Sequence, residues 1–336
     1  MTEATVSYTK KDFMSDQIIR WCPGCGDYSI LSQVQTVFAQ LGIPREQFAV
    51  ISGIGCSSRF PYYLSTYGFH TIHGRAPAVA SGLKATRPDL SVWMITGDGD
   101  GLSIGGNHLA HLLRRNLDLN VLLFNNRIYG LTKGQYSPTS EEGKRTASTP
   151  MGSIDHPFNP LLFALGSGAT CVVRSVDVFA AHLRDMLLEA NAHKGTSFVE
   201  IYQNCNIFND GAFDHLTARE VRDDRILYVE AGKPLVWGAT KRWGLVQAGF
   251  SLRIVEIDDD HPESACVVHD PSDLGLAQAL ARLDAARGEP TPVGVIYRTQ
   301  KSTYEEDFQN QITAARERLG AADLTRLLHS GDTWVL

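Results

Sequence analysis

The chain has 336 residues and a formal net charge of −6, and 43% of its residues are hydrophobic, a composition typical of a folded globular protein. It contains no long run of lysine or arginine and no stretch approaching the ~20 apolar residues of a membrane span, which argues against nucleic-acid and membrane partners. The polar start of the chain, 1–16, lacks the apolar core of a secretory signal, so we expect a cytoplasmic protein whose six cysteines are thiols or metal ligands.

Strands and helices are predicted to alternate between residues 47 and 210. Apolar runs predict buried strands at 47–55, 90–100, 119–126 and 196–205. Segments without internal breakers predict helices at 76–88, at 104–116 and in the second half of 173–190. This alternation predicts an α/β fold, a doubly wound and mostly parallel sheet covered by helices on both faces. Ligands of such sheets bind at the carboxyl ends of the strands.

The pattern is weaker after residue 210. Short strands are expected within 235–246 and 250–258, a further strand at 290–299, and an amphipathic helix at 304–320. We therefore interpret 1–210 as one domain and 211–336 as a C-terminal extension that packs on the core or on a partner subunit.

A glycine-rich segment at the end of a predicted strand suggests a diphosphate site. Gly97-Asp98-Gly99-Asp100-Gly101 ends one strand and opens a helix, and Asn125-Asn126 ends the next strand. Helix N-termini bind phosphates, glycine permits close approach of the main chain, and Mg²⁺ prefers oxygen ligands. A lone Gly-Asp-Gly is usually a turn, but the asparagine 28 residues after Asp98 favours a magnesium–diphosphate site.

Four cysteines lie in predicted loops. Cys22 and Cys25 form a Cys-x-x-Cys pair, Cys56 follows Gly-Ile-Gly, and Cys205 follows the strand at 196–205. Four thiolates fit a zinc site or an iron–sulfur cluster, and a Cys-x-x-Cys pair alone fits a redox dithiol. The spacing of the cysteines does not separate these possibilities.

Several motifs occur together in a fixed order. Trp-Cys-Pro-Gly-Cys-Gly (21–26), Gly-Ile-Gly-Cys-Ser-Ser (53–58) and His-Gly-Arg-Ala (73–76) precede the Gly-Asp-Gly segment and its paired asparagines. With them, the region 15–210 resembles the beta subunit of 2-oxoacid:ferredoxin oxidoreductases, of the 2-oxoglutarate:ferredoxin oxidoreductase type. The resemblance implies thiamine diphosphate, Mg²⁺ and one [4Fe–4S] cluster, the cluster being held by Cys22, Cys25, Cys56 and Cys205.

The resemblance also implies roles for other residues. Mg²⁺ is expected to bind Asp98, Asn126 and the carbonyl of Ile128. The thiamine diphosphate is expected to contact a set of loop residues: Ile54, Gly55, Cys56, Ser57, His73, Gly74, Arg75, Gly99, Asp100, Asn126, Gly130 and Leu131. His73, Arg59 and Lys133 are the expected catalytic residues. The choice of Arg59 and Lys133 comes from their positions, three residues after Cys56 and just after the magnesium loop, and from their charge, which suits the two carboxylates of a substrate such as 2-oxoglutarate.

The implied activity is oxidative decarboxylation of a 2-oxoacid to acyl-CoA and CO₂, with electrons passing through the cluster to ferredoxin, or the reverse reaction as CO₂ fixation. We expect 2-oxoglutarate as the substrate, with pyruvate as the second choice. No glutamate lies in a matching motif, so an alpha subunit is expected to supply the ylid-forming glutamate and part of the substrate site, in an (αβ)₂ assembly.

Two alternative functions follow from the same residues. A non-oxidative thiamine-diphosphate decarboxylase or carboligase would share the magnesium–diphosphate site, but it would not need the four cysteines. A zinc-stabilised binding module would use the cysteines, and its Gly-Asp-Gly would be only a turn.

Overall fold

The computed structural model describes residues 7–249 and 251–334. Residues 1–6 of the predicted domain 1–210 and residues 335–336 of the predicted extension 211–336 lie outside the described residues. So does Phe250, the first residue of the strand predicted at 250–258. Within the two described ranges, no helix is both long and apolar enough to cross a bilayer.

An eight-stranded sheet forms the centre of the described part of the chain. Numbered along the chain, the strands are β1 (Phe48–Ser52), β2 (Tyr67–His70), β3 (Ser91–Gly97), β4 (Asn120–Asn125), β5 (Cys171–Val176), β6 (Ser197–Tyr202), β7 (Ile226–Val229), β8 (Val236–Trp237), β9 (Trp243–Ala248), β10 (Ser251–Glu256) and β11 (Thr291–Arg298). The order in the large sheet is β2-β1-β3-β4-β6-β5-β11-β7, and only the β11–β5 pair is antiparallel. Strands β8, β9 and β10 form a small antiparallel sheet.

Helices cover both faces of the large sheet. Along the described residues, the helices are α1 (Asp27–Leu41), α2 (Ala76–Thr86), α3 (Gly106–Arg115), α4 (Pro160–Gly166), α5 (Ala180–Ala192), α6 (Asp214–Thr217), α7 (Arg222–Arg225), α8 (Leu274–Ala281), α9 (Tyr304–Leu319) and α10 (Leu324–Leu328), the last of which is exposed throughout. Alternate residues of a strand point to opposite faces, so Val50 packs in the layer of α1 and α5, and Ile51 in the layer of α2, α3, α4 and α8. The predicted doubly wound, mostly parallel sheet is confirmed.

The strands end earlier than their apolar runs suggested. The run 47–55 leaves the sheet after Ser52, because the chain bends at 54–56, where Gly55 has a φ of 120°, a conformation that favours glycine. The helix predicted at 104–116 begins at Gly106, after a π-helical turn formed by Asp100–Ile104. These turns leave the strand ends free for ligands.

Three strands of the large sheet, β2, β5 and β7, were not predicted from the sequence. Strand β5 begins at Cys171 and ends at Val176, inside the segment 173–190 of which only the second-half helix was recognised, and β2 is an exposed edge strand without a buried apolar pattern. Beyond residue 210, β7 and β11 also join the large sheet, and β11 confirms the strand predicted at 290–299. The division of the chain into domains at residue 210 stays a prediction.

Candidate active site

A cavity of about 100 Å³ lies where the parallel strands β1, β3 and β4 end. We call it the cofactor cavity, and its lining residues are Ile54, Gly55, Cys56, Ser57, His73, Gly97, Asp98, Gly99, Asp100, Asn126, Ile128, Tyr129, Gly130, Leu131 and Thr132. The three predicted magnesium ligands are among them. So are all the predicted cofactor contacts except Gly74 and Arg75. The fold thus brings together motifs that are far apart in the sequence.

The Asp98 carboxylate is buried and held by hydroxyl groups. Ser137 Oγ and Thr139 Oγ1 both donate hydrogen bonds to Asp98 Oδ2, at 2.5 and 2.6 Å. Burial raises the pKa of Asp98, while these hydroxyl donors act in the opposite direction. Sequence reasoning missed Ser137 and Thr139; the only available signal was the hydroxyl-rich run 137–140 after the paired asparagines.

The turn after β4 presents the other two predicted magnesium ligands. Arg127 adopts a left-handed conformation with a φ of 56°, and the flanking residues Asn126 and Ile128 both line the cofactor cavity. The N–H group of Ile128 donates to Asn126 Oδ1 at 3.1 Å, which fixes the side-chain amide. One carboxylate, one amide oxygen and one main-chain carbonyl fit the hard-oxygen preference of Mg²⁺.

Asp100 connects three loops around the cavity. Its Oδ1 accepts hydrogen bonds from the backbone N–H groups of Ile54 and Gly74, and it lies 2.6 Å from His73 Nδ1. Gly74 therefore binds the Asp100 carboxylate through its backbone N–H group and does not line the cavity. Arg75, the other predicted contact outside the cavity, directs its guanidinium to the carbonyl of Ile104 at 3.4 Å.

Gly99 is packed too tightly for any other residue. A Cβ atom at this position would lie 2.2 Å from the ring of Tyr129, and the Tyr129 hydroxyl donates to the Gly99 carbonyl at 2.9 Å. This contact brings the turn after β4 against the turn after β3. Because Gly99 lines the cofactor cavity and has no side chain, a diphosphate can approach its main chain closely.

Four cysteines meet beside the cofactor cavity. Cys56 lines the cavity, and a Cβ atom at Gly130 would lie 3.7 Å from its sulfur and 3.5 Å from the sulfur of Cys205. Burial, the charge of Asp27 and the neighbouring thiols of Cys205 and Cys22 together raise the pKa of Cys56 to about 12.

Cys25 belongs to the same group of thiols. Its pKa is raised by burial first, then by Asp27, with further contributions from Cys205 and Cys56. Among the described residues, no three His, Cys, Asp or Glu side chains form a group that could hold a single metal ion. The remaining cysteines lie elsewhere: Cys171 is buried in β5, and Cys266 packs against Gly244.

A second, larger cavity of about 570 Å³ adjoins the first through Ile54, Gly55 and Leu131. We call it the outer cleft, and its other lining residues are Asp16, Gln17, Ile18, Arg20, Arg59, Tyr62, Tyr63 and His70. The Tyr63 hydroxyl accepts hydrogen bonds from the Arg59 Nε–H group at 3.1 Å and from the Arg20 backbone N–H group at 2.8 Å. Arg59 is therefore held in the wall of the cleft.

The other predicted cation, Lys133, is placed differently. It is exposed, has a φ of 75° at the tip of a turn, and lines neither the cofactor cavity nor the outer cleft. Arg20 and His70, which do line the outer cleft, were not predicted as site residues; His70 was interpreted as a packing or surface histidine. No motif singled them out.

The fold and the cofactor cavity define a thiamine-diphosphate-binding protein, and residues 53–201 match the family described as "Thiamine pyrophosphate enzyme, C-terminal TPP binding domain". The 2-oxoglutarate oxidoreductase subunit KorB of Mycobacterium tuberculosis is 53% identical over 330 residues, covering 97% of this chain and 88% of that protein. Subunit beta of 2-oxoacid:ferredoxin oxidoreductase 1 of Aeropyrum pernix is 39% identical over 288 residues, and the match covers 85% of this chain and 80% of that protein. The chain belongs to the beta subunits of the 2-oxoacid:ferredoxin oxidoreductases.

A solved structure agrees with this family. The 2-oxoglutarate:ferredoxin oxidoreductase of Magnetococcus marinus, with 2-oxoglutarate, coenzyme A and succinyl-CoA bound, superposes with a TM-score of 0.78 at 37% identity and covers 98% of both chains. The resemblance drawn from the motifs is confirmed, and the chain is an oxidoreductase subunit.

Proposed function

We propose that this chain is the beta subunit of a 2-oxoglutarate:ferredoxin oxidoreductase that binds thiamine diphosphate through Mg²⁺ and carries one [4Fe–4S] cluster. One observation carries the proposal: Cys56 lines the same cavity as Asp98 and Asn126, and the sulfurs of Cys56 and Cys205 both lie within 4 Å of the place that a Cβ atom of Gly130 would take. When bound, thiamine diphosphate supplies a thiazolium that takes up the electron pair released when a 2-oxoacid loses CO₂. A cluster beside it is placed to receive electrons.

The residues around the cavity fit a magnesium-bound diphosphate. Asp98, Asn126 and the carbonyl of Ile128 would hold the ion, and Gly99, Gly130 and Leu131 would line the diphosphate. Asp100 fixes the orientation of His73, whose ring faces the cavity.

The four thiols fit a [4Fe–4S] cluster, in which each cysteine binds a different iron. Cys22 is exposed, whereas Cys25, Cys56 and Cys205 are half-buried. A bound cluster would therefore be nearest to solvent at Cys22, from where ferredoxin would take electrons.

The outer cleft fits the substrate. It shares Ile54, Gly55 and Leu131 with the cofactor cavity and presents Arg59, whose guanidinium is suited to the distal carboxylate of 2-oxoglutarate. Pyruvate has no such carboxylate, so Arg59 favours 2-oxoglutarate. The KorB relative is named for this substrate, and the Magnetococcus marinus structure holds 2-oxoglutarate and coenzyme A.

An alpha subunit would complete the site. The cofactor cavity of about 100 Å³ is smaller than the ~300–1,000 Å³ that is usual for small-molecule sites. Its acidic lining residues are Asp98 and Asp100, and no glutamate is among the described residues that line it. The glutamate that activates the cofactor and the rest of the cavity wall would then come from the alpha subunit in an (αβ)₂ assembly.

The test uses the complex co-expressed with its alpha subunit and purified without oxygen. We expect about four iron atoms per chain and ferredoxin reduction that requires both 2-oxoglutarate and coenzyme A. Cys205→Ala is expected to lose iron and ferredoxin reduction, whereas Cys171→Ala keeps both. Zinc in place of iron, or decarboxylation at full rate without an electron acceptor, would contradict the proposal. Supplying reduced ferredoxin, succinyl-CoA and CO₂ tests the reverse direction.

A further inference from the structure

Gln203 lies between the predicted magnesium site and the cysteines. It follows β6 directly, is 1% exposed, and donates its backbone N–H group to the carbonyl of Asn125 at 3.0 Å. Its side-chain oxygen Oε1 accepts a hydrogen bond from Asn126 Nδ2 at 2.9 Å. Its side-chain nitrogen Nε2 lies 3.4 Å from the sulfur of Cys25. One buried amide therefore contacts a predicted magnesium ligand and a predicted cluster ligand.

Backbone groups fix the orientation of both amides. The N–H group of Ile128 donates to Asn126 Oδ1, so Asn126 must present its Nδ2 to Gln203. Gln203 must then present its oxygen to Asn126, and its Nε2 also donates to the carbonyl of Asn204 at 2.5 Å. The two hydrogens of Nε2 thus have two acceptors, the Asn204 carbonyl and the Cys25 sulfur.

We propose that Gln203 is a positioning residue that links the magnesium site to the iron–sulfur cluster. The inference rests on the proposed function, because it requires both groups to be bound. By holding Asn126, Gln203 keeps Oδ1 of that residue directed to the ion. By donating an N–H group to Cys25, it stabilises the more negative, reduced state of the cluster and so raises its reduction potential.

Only glutamine among residues of this size satisfies both contacts. Glutamate offers the acceptor for Asn126 but, when ionised, has no donor for Cys25, whereas methionine has neither a donor for Cys25 nor a strong acceptor. Asparagine is one methylene shorter and would not span the two partners. The two variants Gln203→Glu and Gln203→Met therefore separate the two contacts.

The experiment measures two properties of the purified complex: the Mg²⁺ concentration needed to bind thiamine diphosphate, and the cluster potential from an EPR-monitored redox titration. Gln203→Met is expected to weaken Mg²⁺ binding about 10- to 100-fold and to lower the potential. Gln203→Glu is expected to restore Mg²⁺ binding to near the wild-type level while the potential stays low.

Asn206→Ala is the matched control, because Asn206 donates to the Pro23 carbonyl in the same cysteine loop without contacting Cys25. Its potential should equal that of the wild type. Unchanged Mg²⁺ binding and potential in both Gln203 variants would overturn the inference, and failure of Gln203→Glu to restore Mg²⁺ binding would overturn the role toward Asn126. A wild-type complex without iron or Mg²⁺-dependent cofactor binding would instead overturn the proposed function.

Discussion

The hydroxyl of Thr139 lies 2.6 Å from Oδ2 of Asp98, and both side chains are buried. The same hydroxyl lies 2.8 Å from Oδ1 of Asn125, so Thr139 stands between the ends of β3 and β4. The hydroxyl groups of Thr139 and Ser137 both donate hydrogen bonds to Oδ2 of Asp98. These hydrogen bonds orient the carboxylate before any ion binds, and their contribution to Mg²⁺ binding can be measured.

Thr139→Val tests this orienting role, since valine has nearly the same shape but no hydroxyl. We expect the Mg²⁺ concentration needed to bind thiamine diphosphate to rise about 10- to 100-fold, as for other residues that support metal ligands. A calorimetric or fluorescence titration of the purified complex measures it. Thr139→Ser keeps the hydroxyl and should behave like the wild type. Equal Mg²⁺ binding in the valine and serine variants would contradict the role.

Arg59→Met tests the choice of substrate. A hydrogen bond to a charged group contributes about 1.5–3 kcal/mol, so kcat/KM for 2-oxoglutarate should fall about 10- to 150-fold relative to that for pyruvate. The comparison variant is Lys133→Ala, and we expect the smaller change there because Lys133 lines neither cavity. An equal loss for both substrates in Arg59→Met would contradict the role of Arg59. An unchanged ratio in Lys133→Ala would remove Lys133 from the specificity argument.

The central strands β1, β3, β4 and β6 could be predicted because their signals are local, although each predicted run extends one to three residues past the end of its strand. The apolar run before Gly97 and the paired asparagines at the end of β4 each mark a strand by themselves. In a parallel sheet these ends meet at one edge, which is why residues of separate motifs line one cavity.

The supporting contacts could not be predicted, because they depend on how distant loops fold back. Thr139 reaches Asp98 across 41 residues, and Gln203 reaches Cys25 across 178. The contacts of Asp100 could not be predicted either. Its motif placed it beside the diphosphate, but only the fold shows that its carboxylate contacts Ile54, His73 and Gly74. Strand β5 was missed for another reason, because its apolar run continues toward the helix α5 without a clear break.

Glu200→Gln tests a buried ion pair beneath the site. Glu200 is fully buried, accepts from Arg174 Nε at 2.7 Å, and also accepts from Asn125 Nδ2 at 2.7 Å. Neutralising it leaves the Arg174 charge buried without a partner, which should lower the free energy of unfolding by about 3–5 kcal/mol. Urea unfolding measures this loss.

The matched control for Glu200 is the surface pair of Arg298 and Glu189, whose closest atoms lie 2.9 Å apart. Because solvent screens this pair, Glu189→Gln should lower the free energy of unfolding by no more than about 1 kcal/mol. Losses of equal size in the two variants would contradict the special contribution of the buried pair.

His193 should make the stability of the protein depend on pH. Burial, followed by the nearby charge of Arg298, lowers the pKa of His193 from 6.5 to about 4. Between pH 4 and 6.5 the unfolded imidazole therefore binds more protons than the folded one, so the free energy of unfolding falls as the pH drops, by about 1.4 kcal/mol per unit for this group. Because other groups titrate in the same pH range, the free energy of unfolding is compared between the wild type and His193→Asn, from urea unfolding at pH 7, 6 and 5. The free energy of unfolding of His193→Asn should fall less on acidification than that of the wild type. The control is His111→Asn, at an exposed histidine, and it should follow the wild type. If the free energy of unfolding of His193→Asn changed with pH as steeply as that of the wild type, the role of His193 would be contradicted.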